Sequence, residues 1–597
     1  MSDTMNDNKV FRIPETVPSP GDLASAWTKV IENAVAAMAS GARPPSTIAH
    51  DPTAPARALA EFTRQMWTDP VGILQASQAA AAEWIELWGI AARRAAGAEA
   101  EPMIAPERGD RRFNDPAWSE EPVFDYLKQA YLLASRQATE LVEQAEGVDE
   151  ATRTKALFFT QAYLNALSPA NFAFTNPEAI RRAIDTGSIS LLSGLANLLA
   201  DAASEAKLPQ RRASAEFELG RDIAATPGSI VFQNDLMQLI QYAPSTETVW
   251  RRPLLYVPPL VNKYYLLDLQ PKSSLIRWLV DQGHNVFVIS WVNPGPELGD
   301  KGLADYLEQG PVVALDAIEK ATGERRADLF GFCMGGTLAG IAAALLAARG
   351  EGDRLGSVTA IGSLFDFARL GQWSTFTEPE QLAAMERHLH AKGIMHAHEL
   401  QALFSVVRAN DLIWSSVVSH YLLDREAPPS DILHWFADGA HIPKAFLLDW
   451  VGGVLRDNQL VRAGALKVGE DSIDLGAVET PVMVVSLKDD HVSAWEATYD
   501  GANLFGGEVR FLLGGSGHNA GVINPPSANK HGYWTNEAMP ETAEEWMEQA
   551  VRNEGSWWPD WQAWLVRDGV DRVKARIPGK GKLKAIEPAP GSYVRMR

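Results

Sequence analysis

Asp328-Leu329-Phe330-Gly331-Phe332-Cys333-Met334-Gly335-Gly336-Thr337 carries the chain's single cysteine and passes from a strand-like run into a helical one over 338–348. Gly331 and Gly335 flank Cys333 in the pattern G-x-S-x-G, with sulfur in place of the hydroxyl. In that motif the nucleophile sits on a strained turn between strand and helix, and neighbouring backbones crowd it, so small flanking residues are required. With 46 glycines in 597 residues, glycine at both flanking positions arises by chance about 0.6% of the time. An isolated cysteine is more often a small buried hydrophobe than a nucleophile. Here the strand before it and the helix after it favour the nucleophile.

Outward from this turn, short apolar or β-branched runs alternate with helical patterns, the signature of a mostly parallel sheet with crossover helices. The texture begins at about Arg251, and the spacing predicts strands over 254–257, 286–291, 327–332, 358–362, 481–487 and 510–513. A nucleophile elbow is followed in chain order by an acid and then a histidine, each in a loop after a strand. After 481–487 comes Lys488-Asp489-Asp490-His491, and after 510–513 comes Gly514-Gly515-Ser516-Gly517-His518-Asn519. Cys333, Asp490 and His518 are therefore the expected triad, with His518 as base and the acid fixing its tautomer. Asp489 rivals Asp490. His491 rivals His518 but is adjacent to the acid, which makes the triad hydrogen bond hard to form. Taken singly, an Asp pair after a strand is more often a turn or cap, and one of 12 histidines is more often structural. The loop Val257-Pro258-Pro259-Leu260-Val261-Asn262-Lys263 is expected to supply one oxyanion donor, and the backbone N–H of Met334 the other. Proline has no N–H, so Leu260 or Val261 remains.

Together these features predict an α/β fold with an α/β-hydrolase core. Between the fourth and fifth strands, 365–480 is largely helical and aromatic-rich, with Trp373, Trp414, Trp435 and Trp450, and is expected to be a cap inserted over the active-site end of the sheet. Upstream, helical periodicity over 24–38, 58–66, 79–94, 123–144 and 151–166, and a Pro177 start signal after Asn176, predict an all-helical N-terminal domain over 1–208. The catalytic domain is expected over 209–597. Residues 96–114 read as a linker or surface loop, and the basic tail 580–597 as a loosely ordered end.

Composition excludes several classes. A formal charge of −21 argues against a nucleic-acid partner and against docking to an anionic bilayer. One cysteine permits no internal disulfide and makes a cysteine-based metal site improbable. The opening residues 1–8 lack the basic and apolar regions of an export signal, and apolar stretches such as 191–203 fall short of the roughly 20 residues that span a bilayer, so no transmembrane segment is expected.

The motifs also carry a resemblance. Gly331-Phe332-Cys333-Met334-Gly335-Gly336-Thr337, Pro258-Pro259-Leu260-Val261-Asn262-Lys263-Tyr264-Tyr265, Ser290-Trp291-Val292-Asn293-Pro294, Ala409-Asn410-Asp411-Leu412-Ile413-Trp414 and Gly515-Ser516-Gly517-His518-Asn519-Ala520-Gly521 strongly resemble the class I polyhydroxyalkanoate (poly-3-hydroxybutyrate) synthases. Asp110-Arg111-Arg112-Phe113-Asn114-Asp115-Pro116-Ala117-Trp118 and Thr226-Pro227-Gly228 extend the resemblance upstream. Trp435-Phe436-Ala437-Asp438 departs from it, since the family usually carries Asn after the Trp, which bears on local contacts of the cap. The resemblance implies an acyltransferase that polymerises (R)-3-hydroxyacyl-CoA, with Cys333 carrying the acyl group and Asp490 and His518 as its partners. It further implies coenzyme A as product rather than cofactor, C3 to C5 monomers, a growing polyester chain as second substrate, a homodimer and attachment to storage granules. The acidic balance and the lack of an export signal at residues 1–8 predict a cytoplasmic protein, no metal site is expected, and contact with the granule or with phasins is the functional reading of residues 1–100. Two rival readings are a cysteine-dependent thioesterase on the same scaffold and a noncatalytic granule-coating protein.

Overall fold

The computed structural model describes residues 18–39, 54–107, 109–204, 209, 217–426, 428–567 and 569–597. Residues 1–8, read above for an export signal, and Leu208 at the expected domain boundary lie outside the described residues. The chain divides into two compact units. One comprises Met1–Ser214, Gly371–Met385 and His398–Pro429, and the other Ala215–Leu370, Glu386–Ala397 and Ser430–Arg597.

The second unit is built on one mixed sheet of eleven strands. These are β1 (Gly228–Gln233), β2 (Met237–Tyr242), β3 (Leu254–Val257), β4 (Val286–Trp291), β5 (Ala327–Phe332), β6 (Leu355–Ile361), β7 (Val482–Leu487), β8 (Val509–Gly514), β9 (Tyr533–Thr535), β10 (Val551–Asn553) and β11 (Glu587–Pro588). Their spatial order is β10-β9-β8-β7-β6-β5-β3-β4-β2-β1-β11. The six from β4 to β8 are parallel, and the outer strands pair antiparallel. Every residue of β3, β5, β6 and β7 is buried, which is why these strands are continuous apolar runs in sequence rather than alternating ones. The pairs Val257 with Gly331, Phe332 with Ile361, and Leu487 with Gly514 line up the carboxyl ends of β3, β5, β6, β7 and β8. Open sheets of this kind bind ligands at that edge.

Expected and observed strands coincide for β3, β4 and β5. β6 begins three residues earlier than expected, and β7 and β8 differ by a residue at their ends. The strand-rich region starts at Gly228 rather than near Arg251, because β1 and β2 form a hairpin. The Asn234 side chain accepts from the amides of Leu236 and Met237 at 2.9 and 2.8 Å, a turn that Asn234-Asp235 between two apolar runs could have signalled. The tail expected to be loose is ordered instead. Glu587 and Pro588 pair with Ile230 and Ser229, Tyr593 donates its hydroxyl to the Asn234 carbonyl at 2.7 Å, and Val594 is buried. The physical reason is the outer edge of β1, whose unpaired N–H and C=O groups the tail covers.

The first unit is helical. Its helices Pro20–Ala39, Ala54–Met66, Pro70–Ala95, Pro122–Gln144, Glu150–Ala166, Pro177–Asp185 and Ile189–Ala203 contain the periodic stretches read from sequence. Asp69, Asp149 and Asn176 accept from the first-turn amides of the helices that follow them, as N-caps do. The insertion 365–480, expected as one cap, is divided between the two units. Its parts 371–385 and 398–429 pack among these helices: Gly194 lies so close to the Tyr421 carbonyl that a Cβ would come within 1.9 Å of it. Tyr421 donates to Asp201 at 2.8 Å, and the rings of Phe158 and Phe376 meet edge-on at 5.5 Å. Among the described residues no single helix is long and apolar enough to cross a membrane. The pair Pro177–Asp185 and Ile189–Ala203, apolar enough when joined, is bent by 111°.

Below the sheet of the second unit, Trp557, Trp558 and Trp561 are fully buried. Trp561 stacks edge-on against Phe330 of β5 at 5.2 Å and donates its indole N–H to the Thr359 hydroxyl of β6 at 2.9 Å. It thus supports from beneath the two strands that flank the cysteine. Trp561→Ala is expected to lower stability by about 3–5 kcal/mol through the cavity and the orphaned hydroxyl. The midpoint of urea unfolding measures this, and an unchanged midpoint would refute the supporting role.

Candidate active site

β5 ends at Phe332 and the helix Met334–Ala348 begins two residues later, leaving Cys333 alone in the turn at φ 55° and ψ −132°. The two motif glycines are sterically compelled. A Cβ on Gly331 would come within 2.2 Å of the Gly335 carbonyl oxygen, and one on Gly335 within 2.2 Å of the Val257 carbonyl oxygen. The Cys333 amide donates to the Ile361 carbonyl at 2.8 Å, and the Ser363 hydroxyl lies 2.8 Å from the Cys333 carbonyl, so β6 grips the turn from the side. The helix that follows directs its positive end toward Cys333, which favours negative charge there.

The acid leaves β7 and the histidine leaves β8. Their loops are stitched together, the Lys488 amide donating to the Gly514 carbonyl at 2.8 Å and the Asp489 amide to the Ser516 carbonyl at 3.0 Å. His518 Nδ1 and Asp490 Oδ2 are 2.6 Å apart, and Asp490 Oδ1 accepts the amides of Val492 and Ser493 at 2.7 and 2.9 Å. A carboxylate held by three donors keeps one orientation. Nδ1 being taken, Nε2 is the nitrogen left for the Cys333 sulfur, which lies near enough to favour the protonated ring. The Phe332 ring lies 4.7 Å from the imidazole, centroid to centroid. The structure brings together Cys333, His518 and Asp490. Asp489 and His491 are exposed on the same loop.

Burial of His518 opposes its charged form, but the Asp490 carboxylate and its hydrogen bond, with the neighbouring Cys333 sulfur, outweigh it, raising the imidazole to about 10. Two residues at this site escaped the sequence reading. Gly362 adopts φ 55° at the end of β6, and a Cβ there would lie 3.4 Å from His518 Cε1 and 3.5 Å from Asp490 Oδ2, so the pair packs against bare backbone. Ser363 holds the elbow carbonyl, as described. Neither belongs to a motif, and only the glycine after an apolar strand could have pointed to them.

Met334 opens its helix, so its N–H has no acceptor within that helix. The loop from Pro258 to Lys263 is fixed at three carbonyls. Trp291 donates to Pro258 at 2.9 Å, the Ala440 amide to Val261 at 3.3 Å, and the Trp435 indole to Lys263 at 2.7 Å. Leu260 is buried and Val261 partly so. Among the described residues no group of three or more His, Cys, Asp or Glu could hold a metal ion.

Because His518 binds its proton more tightly folded than unfolded, the stabilisation is complete below its ordinary value of 6.5 and is lost as pH rises through about 10. Asp490→Asn removes the main charge behind the shift. It is expected to cost more unfolding free energy at pH 6.5 than at pH 10, read from urea unfolding of both proteins at each pH. Equal costs at the two pH values would contradict the charged pair.

With this geometry in view, comparison with known proteins is informative. Residues 109–279 match the family described as the poly-beta-hydroxybutyrate polymerase N-terminus, and residues 252–525 match the alpha/beta hydrolase fold. A poly(3-hydroxyalkanoate) polymerase of Methylorubrum extorquens is 41% identical over 91% of this chain and 90% of its own length. The poly(3-hydroxyalkanoate) polymerase subunit of Rhizobium meliloti is 39% identical over 91% and 88%, and that of Cupriavidus necator 40% identical over 82% and 83%. A sheet carrying the α/β-hydrolase strand order, a cysteine at its elbow and relatives of this closeness lead to one conclusion: the chain belongs to the poly(3-hydroxyalkanoate) polymerase family of acyltransferases.

Proposed function

We propose that the protein polymerises (R)-3-hydroxyacyl-CoA, 3-hydroxybutyryl-CoA foremost, into polyester through a covalent acyl-Cys333 intermediate, releasing coenzyme A. The observation that carries this reading is Cys333 in its strained turn beside an imidazole whose Nδ1 lies 2.6 Å from Asp490 Oδ2.

The steps follow from the groups present. The Cys333 sulfur, its proton on His518, attacks the thioester carbonyl, and the amides of Met334 and of Val261 or Leu260 receive the developing oxyanion. The carbon–sulfur bond to coenzyme A breaks, and the leaving thiolate takes the proton from His518. A 3-hydroxyl then gives its proton to His518 as its oxygen attacks the acyl-Cys carbonyl, and the Cys333 thiolate departs. General-base help of this kind is worth on the order of 10² to 10⁴ in rate. Sulfur suits the task. The first transfer exchanges one thioester for another and retains the activation, which the second spends in forming the more stable oxoester.

A product of this chemistry is too apolar to stay dissolved, and the growing chain ties the enzyme to its surface. Association with a polyester granule is supported by the helix Pro20–Ala39, on which Trp27, Ile31, Val35 and Met38 are exposed at spacings that place them on one side.

Incubation with 3-hydroxybutyryl-CoA should release free coenzyme A and yield polymer, with brief exposure leaving an acyl adduct on Cys333 by peptide mass spectrometry. Cys333→Ala should abolish coenzyme A release, and His518→Ala should reduce it nearly as far, because such groups act as a unit. Free acid as the sole product would favour a thioesterase instead, and an unchanged rate in Cys333→Ala would refute the site.

A further inference from the structure

Lys263 lies at the end of the loop that carries Leu260 and Val261, and its side chain is 5% exposed. Its ammonium donates to Asp438 Oδ1 at 2.6 Å and to the Met596 carbonyl at 2.9 Å. The other oxygen of Asp438 accepts from the Tyr265 hydroxyl at 2.8 Å. On the backbone side, the Lys263 carbonyl accepts the Trp435 indole N–H at 2.7 Å, Asn262 forms a bridge with Gly439, and the Val261 carbonyl accepts from the Ala440 amide. The segment 435–440 therefore runs alongside 261–263 and locks it through both backbone and side chain.

A buried ion pair is a poor way to stabilise a fold, since desolvation cancels much of the attraction and an apolar side chain would fill the space at less cost. What it provides is direction. An ammonium satisfied by a carboxylate and a carbonyl from two distant segments fixes the place of its own backbone, as a Met side chain at 263 would not.

We propose that Lys263 and Asp438 are positioning residues for acyl transfer, the ion pair of the buried Lys263 with the partly buried Asp438 holding the loop 258–263 so that its amide meets the thioester oxygen as charge develops there. The proposal rests on the acyl-transfer reading above and on this loop supplying one of the two oxyanion donors. Neither residue touches the reacting atoms. Their effect is exerted through the backbone, where a small displacement of one donor weakens transition-state binding while leaving the nucleophile and its base in place.

Two reactions of Cys333 separate the roles. Alkylation by iodoacetamide needs the sulfur and His518 but no oxyanion site, whereas coenzyme A release from 3-hydroxybutyryl-CoA needs both. In the full-length protein, Lys263→Met and Asp438→Asn are expected to be alkylated within about twofold of the wild-type rate while kcat for coenzyme A release falls about 10- to 100-fold with little change in KM. Lys263→Arg, which can still reach the carboxylate, should recover part of the loss. Wild-type coenzyme A release in both Lys263→Met and Asp438→Asn would overturn the proposal. So would a parallel fall of alkylation and release in all three variants, which marks general damage to the unit. A wild-type protein that is alkylated yet releases no coenzyme A overturns the acyl-transfer reading itself, a result recognisable before any variant is made.

Discussion

Everything at the site depends on the backbone turn at Cys333. A residue other than glycine at φ 55° is strained by about 1–3 kcal/mol, and such strain persists only where the surroundings over-determine it. Here they do so from both sides. β5 is buried along its whole length, and the helix leaving the turn buries nearly every residue of its first three turns, so neither end can rotate to relax the residue between them. The close approaches of Gly331 to Gly335 and of Gly335 to Val257 leave no room for a side chain that might pad the turn into an easier shape. The sulfur's position is set by the sheet, before any substrate arrives.

The second requirement is electrostatic, and it is met by tying loops rather than by adding charges. A buried imidazole on its own prefers to be neutral. Asp490 reverses this because two backbone amides and His518 share its oxygens, and because the stitches between the β7 and β8 loops leave little freedom for the carboxylate and ring to separate. The bare backbone at Gly362 lets the pair sit directly over the end of β6, beside the strand that grips the elbow. Turn, base and acid thus hang from four neighbouring strand ends, and their mutual distances are those of the sheet.

How legible this was in sequence follows from whether each feature is local. β3, β4 and β5 are buried on both faces, and their composition announces them. The β1–β2 hairpin carries Gln233, Asn234, Asp235, Gln238 and Gln241, which read as polar interruption. Gln238 and Gln241 are nonetheless buried, and Gln238 is satisfied by Glu587 and Ser592, some 350 residues away. The tail is illegible for the reciprocal reason: its order comes from the edge it covers. Cys333 stands out through its motif, and the order of acid and histidine locates the two later loops. The choice between Asp489 and Asp490 was narrower, since adjacent residues leave a strand on opposite sides, and only the geometry shows Asp490 facing the ring. The division of 365–480 between the units is a matter of packing, such as Gly194 against Tyr421, that no periodicity records.

Local and long-range constraints are therefore distributed unequally around the reacting sulfur. The nucleophile is held by residues within a few positions of itself and by adjoining strands. The loop opposite is held by Trp435, Asp438 and Met596, which lie 172, 175 and 333 residues away from Lys263 along the chain. Contacts of such separation carry the largest loop-closure cost and form after local ones. Disturbance of the distal segments would accordingly reach the loop 258–263 before the turn that holds Cys333. On the mechanism proposed above, a site assembled in this way would lose its ability to stabilise a transition state before it lost its ability to present a nucleophile.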